Sequence, residues 1–404
     1  MEEKIERNLP PETQKINDSK KVVTSNIPEH QLVGREQLIS ILISKLQEDC
    51  RILLITGITG IGKTFFAGQL SVKMQRNFTQ TFILNFDHYQ NRFDTSQNID
   101  FASIAYQMLT DWGETLKPDE RKDTQFLFNW VVANLENNHY LLVIDSLEFI
   151  LNHESNFKDE YWNKFFSYLL SANFCQSRII ITSQDLPRQL YTIGSRYPNH
   201  WHCQILKGLS EQEQLEFFNQ AGLDISQYLD NLTYLKKIGA AYEGHPLALR
   251  VITGEIISEP FYGNITAYWN KYGHEVEKVE KIQQELKTNL VFKLDRYSRH
   301  LEKSVKERIE IAFKRLADNS PKAYLMLLSA SVYSEPVLEI FYLNTLEHLG
   351  LDEEERFTVL NKLHDRYLIE EMIDDNHDLL LRQHNLIRSV AYDQLKKSKP
   401  GKQI

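Results

Sequence analysis

The chain has 404 residues, of which 42% are hydrophobic and 25% are charged, and its formal net charge is −9 at pH 7. This length predicts about two to four domains with ordinary soluble cores. The acidic balance argues against a dedicated nucleic-acid binder, because phosphate neutralisation dominates duplex binding. The three cysteines lack metal-ligand spacing and cannot all pair, which predicts a reducing, cytoplasmic setting. No apolar run approaches about 18 residues, so we expect neither a signal peptide nor a membrane-spanning helix.

The first 30 residues are polar and include Pro10-Pro11, which predicts a mobile tail. A helix over 37–46 and a short buried strand over 52–56 follow. Strands that alternate with helices then favour an α/β domain with a parallel sheet and right-handed crossovers. The further strands are predicted over 81–86, 140–145, 178–183 and 202–206, and the further helices over 65–74, 101–116, 124–137 and 160–172.

The segment between the first strand and helix 65–74 reads GITGIGKT, from Gly57 to Thr64, and matches G-x-x-x-x-G-K-[ST]. The strand before it and the helix after it complete the context that this phosphate-binding motif needs. Glycines let backbone N–H groups turn towards an anion, and the helix adds its positive dipole end. We therefore expect Lys63 to reach the β- and γ-phosphates of a nucleotide and the Thr64 hydroxyl to bind Mg²⁺.

From residue 208 the pattern becomes mainly helical. Ser210 and Glu213 form a capping box at the start of helix 211–221, and further helices are predicted over 231–242 and 246–257. The alternating charges of residues 275–300 predict a solvated connector helix.

A third unit is predicted from Val305 onwards. Helices over 305–316, 322–333 and 354–366 precede a hairpin with strands over 367–372 and 378–382, and a last helix covers 386–395. Helices followed by a terminal hairpin suggest a winged helix. The predicted fold is thus an α/β P-loop NTPase domain with a parallel sheet, a small all-helical domain and a winged-helix domain. The predicted boundaries are a tail (1–30), the nucleotide-binding domain (31–207), the helical domain with connector (208–300), the winged-helix domain (301–398) and a short tail (399–404).

Polar residues at the ends of two predicted strands are candidates for the chemistry. Asp145 ends an apolar strand downstream of Lys63, where an aspartate holds Mg²⁺ through water in P-loop enzymes. Glu148 could orient an attacking water, or it could be a surface residue of the next helix. Thr182 and Ser183 could sense the γ-phosphate, or they could form a plain strand-to-loop turn.

Taken in order, these motifs resemble the core of the STAND class of P-loop NTPases. The resemblance is strongest to the NB-ARC type, found in plant resistance proteins, apoptosome scaffolds and many bacterial regulators. It is carried by the box 33–36, the Walker A motif 57–64, the Walker B-like strand 141–148, the sensor-like strand 178–185, the helical entry 206–218, the GLPLAL-like segment 244–249 and the MHDLI-like segment 383–387.

The resemblance implies roles for residues outside the P-loop. Val33 and Arg35 would lie on the adenine side, Pro246 would pack near the adenine, and His384 would contact the β-phosphate of ADP. From the residues alone, Pro246 is a helix N1 proline and His384 an interface histidine. The cofactors would be ATP or ADP and Mg²⁺, with catalytic residues Lys63, Asp145 and Glu148 and metal ligands Thr64 and Asp145. The expected nucleotide contacts are Val33, Arg35, Thr59, Gly60, Ile61, Gly62, Lys63, Thr64, Phe65, Thr182, Ser183, Pro246, Leu247 and His384.

Three residues depart from the family pattern. Gln184 stands where the family's sensor arginine is usual, so sensing or turnover of ATP would be weak unless Arg178 or Arg188 compensates. Asn385 replaces an aspartate that helps to hold the ADP state, and Ser146 replaces an acidic residue found in many relatives.

The resemblance implies a signalling switch that is locked by ADP, activated by ATP–Mg²⁺, self-associating and slow in hydrolysis. Effector and sensor parts would lie on other chains or in a longer protein, and defence, cell death and regulation all fit. The alternative is a DNA-binding ATPase of the AAA+ type, such as an initiator or loader. Glu370, Glu371 and Asp378 give its wing the wrong charge for phosphate contact. A metabolic kinase would need an acceptor site, and we find no motif for one.

Overall fold

The computed structural model describes residues 34–87, 100–225, 229–288, 294–374 and 377–398. The predicted tails and Val33 lie outside these residues. The first unit is built on five parallel strands in the order β2-β3-β4-β1-β5. The strands are β1 (Ile52–Thr56), β2 (Gln80–Asn85), β3 (Tyr140–Asp145), β4 (Arg178–Ser183) and β5 (Trp201–Ile205).

Strand register brings the functional residues to one edge of the sheet. Thr56, the last residue of β1, pairs with Ser183, the last residue of β4. Ile144 of β3 pairs with Ile181, so Asp145 lies level with Thr182. Because the strands are parallel, the phosphate loop, Asp145 and the end of β4 meet at the carboxyl edge of the sheet.

Helices cover both faces of this sheet, as the apolar strands require. One apolar layer packs against α1 and α2, and a larger layer packs against α3, α4 and α5. Helix α3 ends earlier than predicted because Gly113 follows it in a left-handed conformation, with φ 86°. The helices are α1 (Glu36–Gln47), α2 (Lys63–Met74), α3 (Phe101–Asp111), α4 (Thr124–Asn137), α5 (Glu160–Ser171) and α6 (Arg188–Gly194).

The rest of the chain is mainly helical and shares one apolar core, which extends from Leu209 to Ala391. The predicted capping box of Ser210 and Glu213 is confirmed. The predicted boundary at residue 300 falls inside α11. The helices are α7 (Glu211–Gln220), α8 (Leu229–Ala241), α9 (Pro246–Ile257), α10 (Ile265–Thr288), α11 (Leu294–Asn319), α12 (Pro321–Ala330), α13 (Glu339–Asn344), α14 (Glu353–Asp365) and α15 (Asn385–Lys397).

The prediction of a solvated connector over 275–300 is wrong for its first part. Val276 is 1% exposed, and Glu275 bonds to Arg308 at 3.1 Å and to Arg315 at 2.6 Å. Arg308 and Arg315 also pair with Glu255 on α9. The charge pattern of a helix shows its polarity but not its partners, and here the partners are arginines of α11.

A small antiparallel sheet precedes the last helix. It consists of β6 (Val337–Leu338), β7 (Glu370–Ile373) and β8 (Leu379–Arg382) in the order β6-β8-β7. The predicted hairpin is present as β7 and β8, whereas β6 and α13 were not predicted. Within the described ranges, every helix is too short or too polar to cross a membrane.

Candidate functional site

The phosphate loop, Gly57 to Thr64, closes around the Lys63 ammonium. Its Nζ donates to the carbonyl oxygens of Gly57 at 2.9 Å and Ile58 at 3.2 Å. Gly60 and Gly62 have φ of 78° and 92°, a left-handed conformation that glycine adopts without steric cost. Burial lowers the pKa of Lys63, while nearby carboxylates oppose this shift. The loop therefore has the shape and charge of a phosphate site.

Asp145 lies next to this loop and is held by two hydroxyls. Thr64 Oγ1 donates to Asp145 Oδ1 at 2.9 Å, and Thr182 Oγ1 donates to the same oxygen at 2.5 Å. The Ser146 N–H in turn donates to Thr182 Oγ1 at 2.9 Å. Burial raises the pKa of Asp145, and the bonds from Thr182 and Thr64 and the charge of Lys63 oppose this rise. Thr182, predicted as a phosphate sensor, thus orients Asp145.

The expected metal ligands, Thr64 and Asp145, are therefore side by side. A hydroxyl and a carboxylate suit Mg²⁺, which takes few protein ligands and completes its shell with water and phosphate oxygens. The described residues contain no cluster of three or more His, Cys, Asp or Glu side chains that could hold a metal by themselves. The donor set therefore fits Mg²⁺ bound together with a nucleotide.

Glu148 and Gln184 close the site on the β4 side. Glu148 Oε2 accepts from the Gln184 N–H at 3.1 Å, and burial raises the pKa of Glu148. Gln184 Oε1 accepts from Thr59 Oγ1 at 2.6 Å, so this residue contacts the phosphate loop directly. Ser183 is fully buried. Arg178 cannot compensate for a sensor arginine, because it lies at the opposite end of β4.

Arg35 contacts the outside of the loop. Its Nη2 donates to the carbonyl oxygens of Ile61 at 3.0 Å and Lys207 at 2.8 Å. Its own N–H donates to Glu213 Oε1 at 2.5 Å. Burial lowers the pKa of Arg35 to about 10, with Glu213 opposing. Arg35 thus joins the phosphate loop, the segment after β5 and the first turn of α7.

His245 is a site residue that the sequence did not single out. Its Nε2 lies 3.0 Å from the Thr59 carbonyl oxygen, and its Nδ1 accepts from the Ala248 N–H at 3.4 Å. These two partners assign the neutral tautomer with the proton on Nε2. Burial lowers the pKa of this fully buried imidazole to about 3. Its place in the GLPLAL-like segment was the available signal, but the contact with Thr59 spans 186 positions.

Pro246 and Leu247 follow at the start of α9. Pro246 occupies the first turn and is half-buried. A Cβ placed on Gly60 would lie 2.9 Å from both His245 Cε1 and Leu247 Cδ2, so α9 is in close contact with the loop. Phe65 lies half-buried in the first turn of α2.

The C-terminal unit reaches the same edge of the sheet. Asn385 Nδ2 donates to Oδ2 of Asp87, just beyond β2, at 2.9 Å. His384 caps α15 by accepting the Leu386 N–H on Nδ1 at 3.2 Å. Burial lowers the pKa of His384 to about 4; Glu370 opposes this and the charge of Lys63 adds to it. The predicted site residues inside the described ranges thus gather from three parts of the chain.

A family match covers the phosphate-binding part of this site. Residues 51–222 match the NACHT domain. The NACHT segment is a P-loop NTPase domain of the STAND class; it begins just before β1 and includes the phosphate loop, Asp145 and the end of β4. The prediction of a STAND-class P-loop NTPase is confirmed at this level. The NB-ARC subtype stays a prediction.

Other proteins resemble longer parts of the chain. Over 234 residues it is 26% identical to an uncharacterised WD repeat-containing protein of Nostoc sp., which covers 55% of this chain. The chain spans 17% of the length of that relative.

Two solved structures have a loosely similar arrangement. The Walker-type ATPase of Pyrococcus abyssi is 11% identical with a TM-score of 0.41, covering 90% of this chain and 97% of its own. The Orc1 protein of Aeropyrum pernix, solved in complex with DNA, is 13% identical with a TM-score of 0.38, covering 92% and 95%. Scores this low carry no information about function.

Acidification is expected to destabilise the arrangement around the phosphate loop. The pKa values of about 3 for His245 and about 4 for His384 lie below the ordinary 6.5, so only the unfolded or separated states take up protons in between. The free energy of unfolding therefore falls as the pH drops from about 6.5 towards 4, by up to about 1.4 kcal/mol per histidine and pH unit. The positive charges of Lys63 and Arg35 act on His245 in the same direction.

Thermal unfolding midpoints between pH 7 and 4.5 measure this dependence. His245→Asn is expected to flatten it, whereas His153→Asn, at a side chain that is 90% exposed, serves as the control. If the unfolding midpoint of His245→Asn depended on pH as that of the wild type does, the low pKa of His245 would not be the cause of this dependence.

Proposed function

We propose that this chain is an ATP- and ADP-binding switch in which the nucleotide holds the helical and C-terminal units against the P-loop unit. One observation carries the proposal: both later units contact the phosphate-binding edge of the sheet. His245 bonds to Thr59 in the loop itself, and Asn385 bonds to Asp87 at the end of β2. A nucleotide bound in the loop would therefore lie where three parts of the chain converge.

The chemistry of the loop supports ATP or ADP with Mg²⁺ as the ligand. Lys63 would bind the β- and γ-phosphates, and Thr64 and Asp145 would hold Mg²⁺. The bound Mg²⁺ would neutralise part of the negative charge of the phosphates. Glu148 would orient water, because its carboxylate faces the site and is fixed by the Gln184 N–H. Gln184 carries no charge for a γ-phosphate, which favours slow hydrolysis and a switch over rapid turnover.

We infer that residues 301–398 form a winged-helix domain. Its support is the succession of α12, α14, the β7–β8 hairpin and α15, with β6 as a third strand. Glu370 of the hairpin pairs with Arg382 at 2.8 Å and with Arg250 of α9 at 3.1 Å. Burial would raise the pKa of Glu370, but Arg382 and Arg250 lower it to about 2, so this ion pair persists at neutral pH. It fixes the hairpin, and hence His384, relative to α9.

We further propose that ATP–Mg²⁺ loosens these contacts and exposes surfaces for self-association in a cytoplasmic protein. Effector and sensor functions would reside in partner chains or further domains. Nucleic acid is not a proposed partner, because Glu371 and Asp378 leave the hairpin acidic and Arg382 is already paired.

The test is the size of the protein in each nucleotide state, measured by small-angle scattering and analytical ultracentrifugation. The ADP form is expected to be a compact monomer and the ATP–Mg²⁺ form to be more open or oligomeric. Asn385→Ala removes the hydrogen bond to Asp87. It is expected to shift the equilibrium between the compact and the open form about fivefold towards the open form, because one hydrogen bond contributes about 1 kcal/mol.

Ser389→Ala, at an exposed position on the same helix, is the control. Equal dimensions in ADP and ATP would contradict the switch. Tight, salt-dependent DNA binding would favour the AAA+-type alternative.

A further inference from the structure

We propose that His245 is a positioning residue of the phosphate loop, which turns the Gly60 N–H towards a bound phosphate. The proposal rests on the proposed nucleotide binding and assigns the loop geometry to a side chain of the helical unit. His245 lies outside the NACHT segment, which ends at residue 222.

The argument starts from the peptide that joins Thr59 and Gly60. The Thr59 carbonyl oxygen lies 3.0 Å from His245 Nε2. In a planar trans peptide the C=O and the following N–H point in opposite directions. The Gly60 N–H therefore points away from His245. Within the described part of the chain it has no hydrogen-bond acceptor.

The Ile61–Gly62 peptide, two peptides further along the loop, is also held through its carbonyl oxygen. The Ile61 carbonyl oxygen accepts from Arg35 Nη2 at 3.0 Å, so the Gly62 N–H points away from Arg35. Two alternate carbonyls are thus held by the side chains of the N-cap residues of two different helices, α9 and α1. Successive N–H groups that face one concavity form the anion-binding arrangement of phosphate loops.

His245 itself has little freedom to move. Its Nδ1 accepts from the Ala248 N–H and so caps α9, while its Nε2 donates to Thr59. The imidazole is fully buried, and the left-handed Gly60 leaves no room for a side chain against its Cε1. The direction of the Gly60 N–H therefore depends on where α9 lies. Separation of α9 from the loop would release the peptide, and phosphate affinity and docking of the helical unit would be coupled in both directions.

A matched pair of substitutions separates this role from simple helix capping. His245→Asn keeps an oxygen at the Nδ1 position, which can cap α9, but it cannot reach Thr59. His245→Gln extends an N–H to the Nε2 position, but it does not keep the cap. Affinity is measured on the full chain by competition against a fluorescent ADP, with ADP, pyrophosphate and adenosine as competitors.

We expect His245→Asn to lower the affinity for ADP and for pyrophosphate about tenfold and to change the affinity for adenosine little. Its melting temperature is expected to stay near that of the wild type. We expect His245→Gln to stay within about threefold of the wild type for ADP and to melt earlier. Arg35→Lys tests the Ile61–Gly62 peptide independently and is expected to lower the affinity for pyrophosphate as well.

Wild-type ADP affinity in His245→Asn, or equal losses for pyrophosphate and adenosine, would overturn the positioning role and leave His245 as a cap. Failure of the proposed function itself is recognised separately, because the wild-type protein would then bind neither ADP nor pyrophosphate.

Discussion

Replacement of Lys63 by alanine is expected to lower the affinity for ADP and ATP by about 100-fold or more. Lys63 Nζ is held by the carbonyl oxygens of Gly57 and Ile58 inside the loop, and the Lys63 residue is 9% exposed. Charge-assisted bonds from such an ammonium to phosphate are strong, and loss of one buried partner costs about 2–5 kcal/mol. Titration calorimetry with ADP and with ATP–Mg²⁺ measures the effect.

Lys73→Ala is the matched control, because Lys73 is an exposed lysine in the last turn of the same helix. Near-native nucleotide affinity in Lys63→Ala would rule out the loop as the phosphate site. The same variant also tests the role of the nucleotide in holding the units together. If Lys63→Ala stayed as compact in solution as the ADP form of the wild type, a simple ATPase would survive as an interpretation but the switch would not.

Arg308→Ala is expected to destabilise the helical part of the protein by about 3–5 kcal/mol. Arg308 is fully buried and pairs with Glu255 and Glu275 from two other helices. Tyr268 also donates to Glu255 Oε2 at 2.9 Å, so the cluster joins α9, α10 and α11. Removal of Arg308 leaves Arg315 as the one cation of the described residues that pairs with the two carboxylates Glu255 and Glu275. One buried negative charge of the cluster is then uncompensated, and this is the source of the cost.

Urea unfolding followed by circular dichroism measures the change in the free energy of unfolding. Lys303→Ala, on the same helix, removes an exposed pair with Glu307 and is expected to cost less than about 0.5 kcal/mol. A similar small loss in Arg308→Ala would show that the buried cluster adds little to stability. Glu255→Gln tests the same cluster from the acidic side.

Local patterns predicted the elements that carry the phosphate chemistry. The strands β3 and β4 and the helix α4 have the predicted bounds, because apolar runs and their polar ends are properties of the chain segment itself. The two-residue strand β6 was missed because two residues show no periodicity. The sequence predicted that Gln184 weakens phosphate sensing. It did not predict the contact of Gln184 with Thr59, because that contact is made only when the chain folds.

The residue pairs that join the units could not be predicted from the sequence, for a physical reason. His245 and Thr59 are 186 positions apart, and Asn385 and Asp87 are 298 apart. Such pairs are fixed by tertiary packing, which composition and spacing do not record. Glu275 shows the same limit: its sequence neighbourhood resembles a solvated helix, and only the approach of α11 supplies its buried partners.

The unbroken helix α11, with 26 residues, has a mechanical consequence. Together with the apolar core that it shares with α9, α12 and α15, it packs the described helices and strands after β5 into one body. Within the described ranges, the chain passes from the sheet to this body once, through residues 206–209, where Arg35 holds the Lys207 carbonyl oxygen. Any opening is then a rotation of two bodies about a single pivot. Residues on α15, farther from that pivot along the chain, would travel with those on α9 instead of moving separately.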